Sequence, residues 1–128
     1  MRDMTQAERD ALGQPNPVDI TTTGRRSGQP RRIEIWAHLI EDRIFITSSP
    51  GRRHWYANML AQPDIVVHIR HGTQSDIPAT ARPILDPNER HATFDRIQNQ
   101  SAYRSQMTLP IAQRIKGSCL VEITLLDA

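Results

Sequence analysis

The stretch IEIWAHLIEDRIFITSS, residues 33–49, decides the fold. Ile33, Ile35, Ala37 and Leu39 alternate with Glu34, Trp36 and His38, the period of two that a half-buried strand shows. Glu41-Asp42 then offers a tight turn into RIFITSS, so the stretch predicts a β-hairpin, which Pro50-Gly51 ends.

On its N-terminal side lies TTTGRRSGQPRR, residues 21–32, with four arginines, three threonines, two glycines and nothing acidic. Backbone N–H groups, hydroxyls and guanidinium forks gathered in one short loop suit a phosphate or a carboxylate. Gly24 to Arg32 therefore reads as an anion cradle, entered from the β-branched strand VDITTT. A second loop, TSSPGRRHW at residues 47–55, combines hydroxyls, a glycine and two arginines just before a predicted helix. The free N–H groups and dipole of a helix start favour an anion. In a curled sheet these loops could face one site. Composition by itself also allows a plainer reading, in which both are solvated turns.

Further along, HWYANMLA places Trp55, Met59 and Leu60 on one helical face and is stopped at Pro63. DIVVHIR is a near-continuous apolar run that suits a buried strand, and the two prolines of IPATARPIL favour an edge strand. Asp86, Pro87 and Glu89 supply N-cap, N1 and N3 residues for a helix running through Phe94 and Ile97. CLVEITLL closes the chain as a last strand. About six mainly antiparallel strands with two or three helices predict an α+β domain built on a small barrel or strongly curled sheet. It is expected to be one domain over residues 1–128, opening with a polar lead at 1–16.

Fifteen of the sixteen basic residues are arginine, and three doublets, Arg25-Arg26, Arg31-Arg32 and Arg52-Arg53, crowd one region. The net charge of +2 is too mild to announce a nucleic-acid binder. Cys119 stands alone, so neither a disulfide framework nor a thiolate metal site is expected. No window approaches the roughly 20 apolar residues of a membrane span, and the N-terminus lacks the apolar core of a signal peptide, which predicts a cytoplasmic protein. His68 and His71 make a poor metal pair, because no acidic partner completes a set. Ser48 and His54 lack the G-x-S-x-G context of a hydrolase, and neither the G-x-G-x-x-G nor the P-loop pattern of nucleotide binding occurs.

TTTGRRSGQPRR followed by SSPGRRHWYANMLAQPDIVVHI resembles the deazaflavin (F420)-dependent nitroreductase and quinone reductase family, over roughly residues 18 to 85. That family carries a T-T-x-G-R-x-S-G-x-P-R loop and a later W-Y-x-N-L-x-x-N-P segment. The resemblance implies an FMN-binding-like split β-barrel and a cofactor with a phosphate, an oligoglutamate tail and a flat tricyclic ring, coenzyme F420. It further implies that Gly24, Arg25, Arg26, Ser27, Gln29 and Arg31 hold phosphate and tail. Ser48, Ser49, Gly51 and Arg52 match the second loop, while Trp55 and Asn58 shape or brace the site. Reduced F420 would pass a hydride to a small electron-poor acceptor such as a quinone, an enone or a nitroaromatic, with Ser49, Tyr56 or Tyr103 bonding the acceptor oxygen or relaying a proton. Two departures stand out: Arg53-His54 replaces a lysine and proline of some members, and Glu34, if near the cofactor, would repel an anionic ring. FMN on the same barrel, or a non-enzymatic binder of a phosphorylated ligand or nucleic acid, are the alternatives. Exposed apolar faces of such a barrel would favour a homodimer.

Overall fold

The computed structural model describes residues 3–14, 17–48, 53–101 and 116–127. Helix α1 (Gln6–Leu12) leads into strands β1 (Val18–Thr23), β2 (Pro30–Ile35), β3 (Ala37–Ile40) and β4 (Arg43–Ser48). Helix α2 (His54–Ala61), β5 (Asp64–Ile69), β6 (Ser75–Pro83), α3 (Pro87–Gln100) and β7 (Cys119–Leu125) follow. All strand pairs are antiparallel, in the order β2-β1-β5-β6-β7-β4-β3.

That order explains the curl. β2 and β3 occupy opposite edges of the seven-stranded sheet, yet Trp36 alone separates them in sequence. A residue spans at most about 3.6 Å, so the end of β2 and the start of β3 must meet. The sheet is therefore strongly curled. The alternating run IEIWAHLI, expected as one strand, is in fact two: up to Ile35 it pairs with β1, and from Ala37 it pairs with β4. Hence the described residues hold seven strands rather than six. The hairpin turn is as expected, with Glu41 and Asp42 at φ of 52° and 63° joining the paired residues Ile40 and Arg43. Two successive left-handed residues give the turn whose twist matches that of the flanking strands.

A second correction concerns β6, which lies in the interior of the sheet between β5 and β7 despite its two prolines. Its two ladders are staggered. Pro78 presents its carbonyl to Leu126 N–H beyond the end of the β7 register at Ala79, and Pro83 lies past the end of the β5 register at Thr80. Neither ring therefore removes a donor that a ladder needs.

Alternate residues point into the roll. Ile20, Ile46, Val67, Ala79 and Val121 meet there with Trp55 and Met59 of α2, and Ala11 and Leu12 of α1 close one side. Leu60, expected on the buried face of α2, is exposed, and Asn58 is buried instead. A smaller outer core packs Phe94 and Ile97 of α3 against Ile40, Phe45 and Leu120. This is why Ile44, Phe45 and Ile46 are all buried, since β4 is covered on both faces. Asp86 caps α3 by accepting from Glu89 N–H at 2.9 Å, with Pro87 in the first turn, and Thr5 and Glu8 form a reciprocal cap on α1. No helix among the described residues is long and apolar enough to cross a membrane.

Candidate functional site

The β1–β2 connection, residues 24–29, is closed by its own backbone. Gly24 N–H donates to Gln29 carbonyl at 2.8 Å, Gly28 N–H donates to Gly24 carbonyl at 2.8 Å, and Ser27 Oγ accepts from Gln29 N–H at 3.2 Å. Gly28 adopts φ of 70°, a left-handed conformation that costs glycine little. At Gly24 the constraint is space: a Cβ there would lie 2.5 Å from Ser27 Oγ and 3.3 Å from Gln29 carbonyl.

Helix α2 anchors this loop through Asn58, which is 5% exposed. Its Oδ1 accepts from both Arg25 N–H and Arg25 Nη1, each at 3.1 Å, and its Nδ2 donates to Thr22 Oγ1 at 3.2 Å. One buried amide thus ties β1, the loop and the helix together. Buried amides left without partners cost about 1–3 kcal/mol, so the three bonds fix Arg25 in place.

Loop, β2 and α2 enclose an open cleft of about 450 Å³, lined by Thr22, Gly24, Arg25, Arg26, Ser27, Arg31, Ile33, His54, Trp55 and Asn58. Such a volume is in the range of small-molecule sites. Its lining combines three arginines with the apolar side chains of Trp55 and Ile33. No carboxylate lines it among the described residues, and the side chains of Arg26 and Arg31 make no ion pair or hydrogen bond among them.

Of the residues named from sequence, Gly24, Arg25, Arg26, Ser27, Arg31, Trp55 and Asn58 meet in this cleft. Gln29 serves through its backbone, closing the loop, and does not line the cleft. Ser48 lies at the end of β4, where its carbonyl accepts from Cys119 Sγ at 3.5 Å, also outside the lining. Tyr56 stands behind Trp55 in an edge-to-face contact, centroids 6.0 Å apart, and burial pushes its hydroxyl above the ordinary range. Ser49, Gly51, Arg52 and Tyr103 lie outside the described residues. Three lining residues were not singled out as ligand contacts from sequence: Thr22, Ile33 and His54. The alternation in β1 and β2 carried a signal for the first two, since Thr22 shares the inward face with Ile20, and Ile33 shares that of Ile35.

The same alternation corrects the expectation for Glu34. Its side chain points to the outer face of the sheet, where Arg70 donates to it at 2.8 Å, and it does not line the cleft.

The model of the F420H(2)-dependent quinone reductase family matches residues 4–112. The chain belongs to that family. Its members are oxidoreductases, and this chain is accordingly an enzyme of that kind. The roll is the split β-barrel seen in several solved structures. A conserved hypothetical protein of Mycobacterium tuberculosis matches with a TM-score of 0.70 at 15% identity, over 99% of this chain and 87% of that one. A protein described as an F420 reductase gives 0.62 at 12% identity over 97% of both chains. An FAD-binding protein of Mesorhizobium loti gives 0.63 at 14% identity, over 98% and 93%. At these identities the likeness shows the shared fold.

The donor set fits the family's cofactor on chemical grounds. Guanidinium forks, a serine hydroxyl and a glycine that leaves no room for a side chain are groups suited to phosphate and carboxylate oxygens. The adjoining Trp55 and Ile33 offer apolar surface against which a flat ring could pack.

Proposed function

We propose that the cleft holds coenzyme F420 and that the enzyme reduces a small electron-poor acceptor, of the quinone, enone or nitroaromatic class. The observation that carries this reading is the concentration of Arg25, Arg26 and Arg31 around a cleft without a carboxylate among its described residues. Exposed guanidinium groups gathered around one space raise its positive potential and favour an anion there.

When bound, the reduced coenzyme supplies the hydride, so no side chain has to act as a redox group. The protein's own tasks are binding and placement. Arg25, fixed by Asn58, would give directional bonds to phosphate, while Arg26, Arg31 and Ser27 would hold the acidic tail. Trp55 and Ile33 would keep water from one face of the ring and orient it. Reduction of a carbonyl acceptor leaves an oxygen in need of a proton. Among Ser49, Tyr56 and Tyr103, the described one is Tyr56; burial raises its hydroxyl above the ordinary range, and it carries its proton near neutral pH. Its place behind Trp55 favours a relay over direct contact with the acceptor.

The test is a fluorescence titration with oxidised deazaflavin coenzyme and, in parallel, with FMN, then decay of the reduced coenzyme with menadione as acceptor. Micromolar deazaflavin binding and menadione-dependent oxidation are expected. Tight FMN binding with none to deazaflavin would overturn the reading.

A further inference from the structure

On the outer face of the sheet, opposite the cleft, β1, β5 and β6 bring Thr21, His68 and Asp76 into one line. Thr21 Oγ1 lies 2.7 Å from His68 Nε2, and His68 Nδ1 lies 2.7 Å from Asp76 Oδ1. Strand alternation sets them there, because Ile20, Val67 and Ile77, their neighbours in the chain, all point into the core. His68 and Asp76 are also direct cross-strand partners. The bond from His68 holds the Asp76 carboxyl below its ordinary range, so that group is ionised near neutral pH and can only accept. In the neutral ring the hydrogen therefore sits on Nδ1, and Nε2 is left to accept the hydroxyl of Thr21. A hydroxyl bonded to an imidazole that is oriented in turn by a carboxylate is the arrangement that activates an oxygen nucleophile.

The surroundings fit a neutral substrate. Arg32, directly opposite Thr21 on β2, spends Nε on Asp19, and Arg70 is held by Asp19 and Glu34, so the local charges are largely balanced. Thr21 is half-buried, while Asp76 and Arg32 are exposed, and the group opens to solvent on that side. We propose that Thr21, His68 and Asp76 form a second reactive site, which hydrolyses small neutral carboxylic esters through an acyl-threonine. Thr21 Oγ1 attacks the ester carbonyl as its proton passes to His68 Nε2. The bond to the alcohol oxygen then breaks, and the alcohol leaves with that proton. A water molecule next attacks the acyl-threonine, giving its proton to Nε2, and the carboxylic acid departs as Thr21 recovers the proton. Arg32 faces the carbonyl oxygen that carries negative charge between these steps. Asp76 acts through His68 as a positioning residue, fixing the tautomer. The site lies on the other face of the sheet from the cleft and does not depend on the coenzyme.

The experiment follows nitrophenolate release from p-nitrophenyl acetate by the full chain and by Thr21→Val, Thr21→Ser and His68→Gln, with urea unfolding to show that each variant is folded. In parallel, diisopropyl fluorophosphate, which a reactive hydroxyl attacks with loss of fluoride, is used to label the native protein for peptide mass spectrometry. Release should fall to the buffer rate in Thr21→Val, persist in Thr21→Ser, and drop by about a hundredfold or more in His68→Gln. The label should sit on Thr21. Turnover that survives in Thr21→Val, or a native protein labelled elsewhere or not at all, would overturn the inference. The labelling result needs no variant, so it decides the matter even where a substitution disturbs the fold.

Discussion

Two recesses of this molecule are lined by arginine, and they differ in what stands opposite. In the smaller, about 190 Å³ beside α1, Arg9 meets Asp42 at 3.2 Å and Arg43 makes a two-point bond to Glu122 at 2.7 and 3.0 Å. Arg82 extends that network by bridging Glu89 and Glu122. In the larger cleft Arg25, Arg26 and Arg31 face no carboxylate among the described residues. The outer face of the sheet resembles the small recess, with Arg32 on Asp19 and Arg70 on Asp19 and Glu34. Among the described residues, then, arginines paired with carboxylates stand where they serve the fold, and those around one cleft face none. Overall charge hides this, because +2 averages the two kinds of region.

The strongest way to break the comparison is to remove the open charges. Arg25→Ala with Arg26→Ala should weaken coenzyme binding by about 1.5–3 kcal/mol for each charged hydrogen bond lost, read as a rise in the dissociation constant by fluorescence titration. Unfolding midpoints should barely move. An unchanged dissociation constant would show that these arginines serve something else.

Next in size is Asn58→Leu, which deprives Arg25 N–H and Thr22 of their partners. We expect a loss of about 1–3 kcal/mol in urea unfolding, together with weaker binding even though no charge is removed. Full stability with full affinity would mean that the loop needs no anchor. Gly24→Ala should act on the same loop by about 1–3 kcal/mol, because the added methyl meets Ser27 Oγ at 2.5 Å.

Glu122→Gln probes the compensated region and should do the reverse, lowering stability by about 1 kcal/mol and leaving coenzyme affinity alone. The hydrogen bonds from Arg43 and then Arg82 hold the Glu122 carboxyl below its ordinary 4.5, and Arg82 does the same for Glu89. A carboxylate depressed on folding adds stability that is complete above its unfolded value and disappears as pH falls through the folded one. Melting temperature should therefore drop on acidification below about pH 4.5, with a gentler drop in Glu122→Gln. Identical slopes would count against the network. Smallest of all is Arg32→Gln, an exposed pair expected to change stability by under about 1 kcal/mol in the same assay.

Much of this was legible in the sequence where the relevant interactions are short in range. Asp86, Pro87 and Glu89 start a helix by bonds that span three residues, and Glu41-Asp42 turns the hairpin by its own backbone angles. The β1–β2 loop likewise closes within residues 24–29. The prolines of β6 misled because proline excludes a ladder bond only on the side its nitrogen faces, and the stagger of the neighbouring strands is not written locally.

What the sequence by itself determined is therefore the make-up of the cradle, the strand and helix starts around it, and the family to which the chain belongs. Only the tertiary structure decided that Trp36 breaks a run of perfect alternation and carries the chain from one sheet edge to the other. Only it decided that Arg31 faces the cleft while its neighbour Arg32 pairs with Asp19, and that Thr22, Arg25 and Asn58 meet. The physical reason is one of range. Backbone turns and caps are settled by a few neighbouring residues, whereas closing the roll and matching charges depend on burying surfaces contributed by distant parts of the chain.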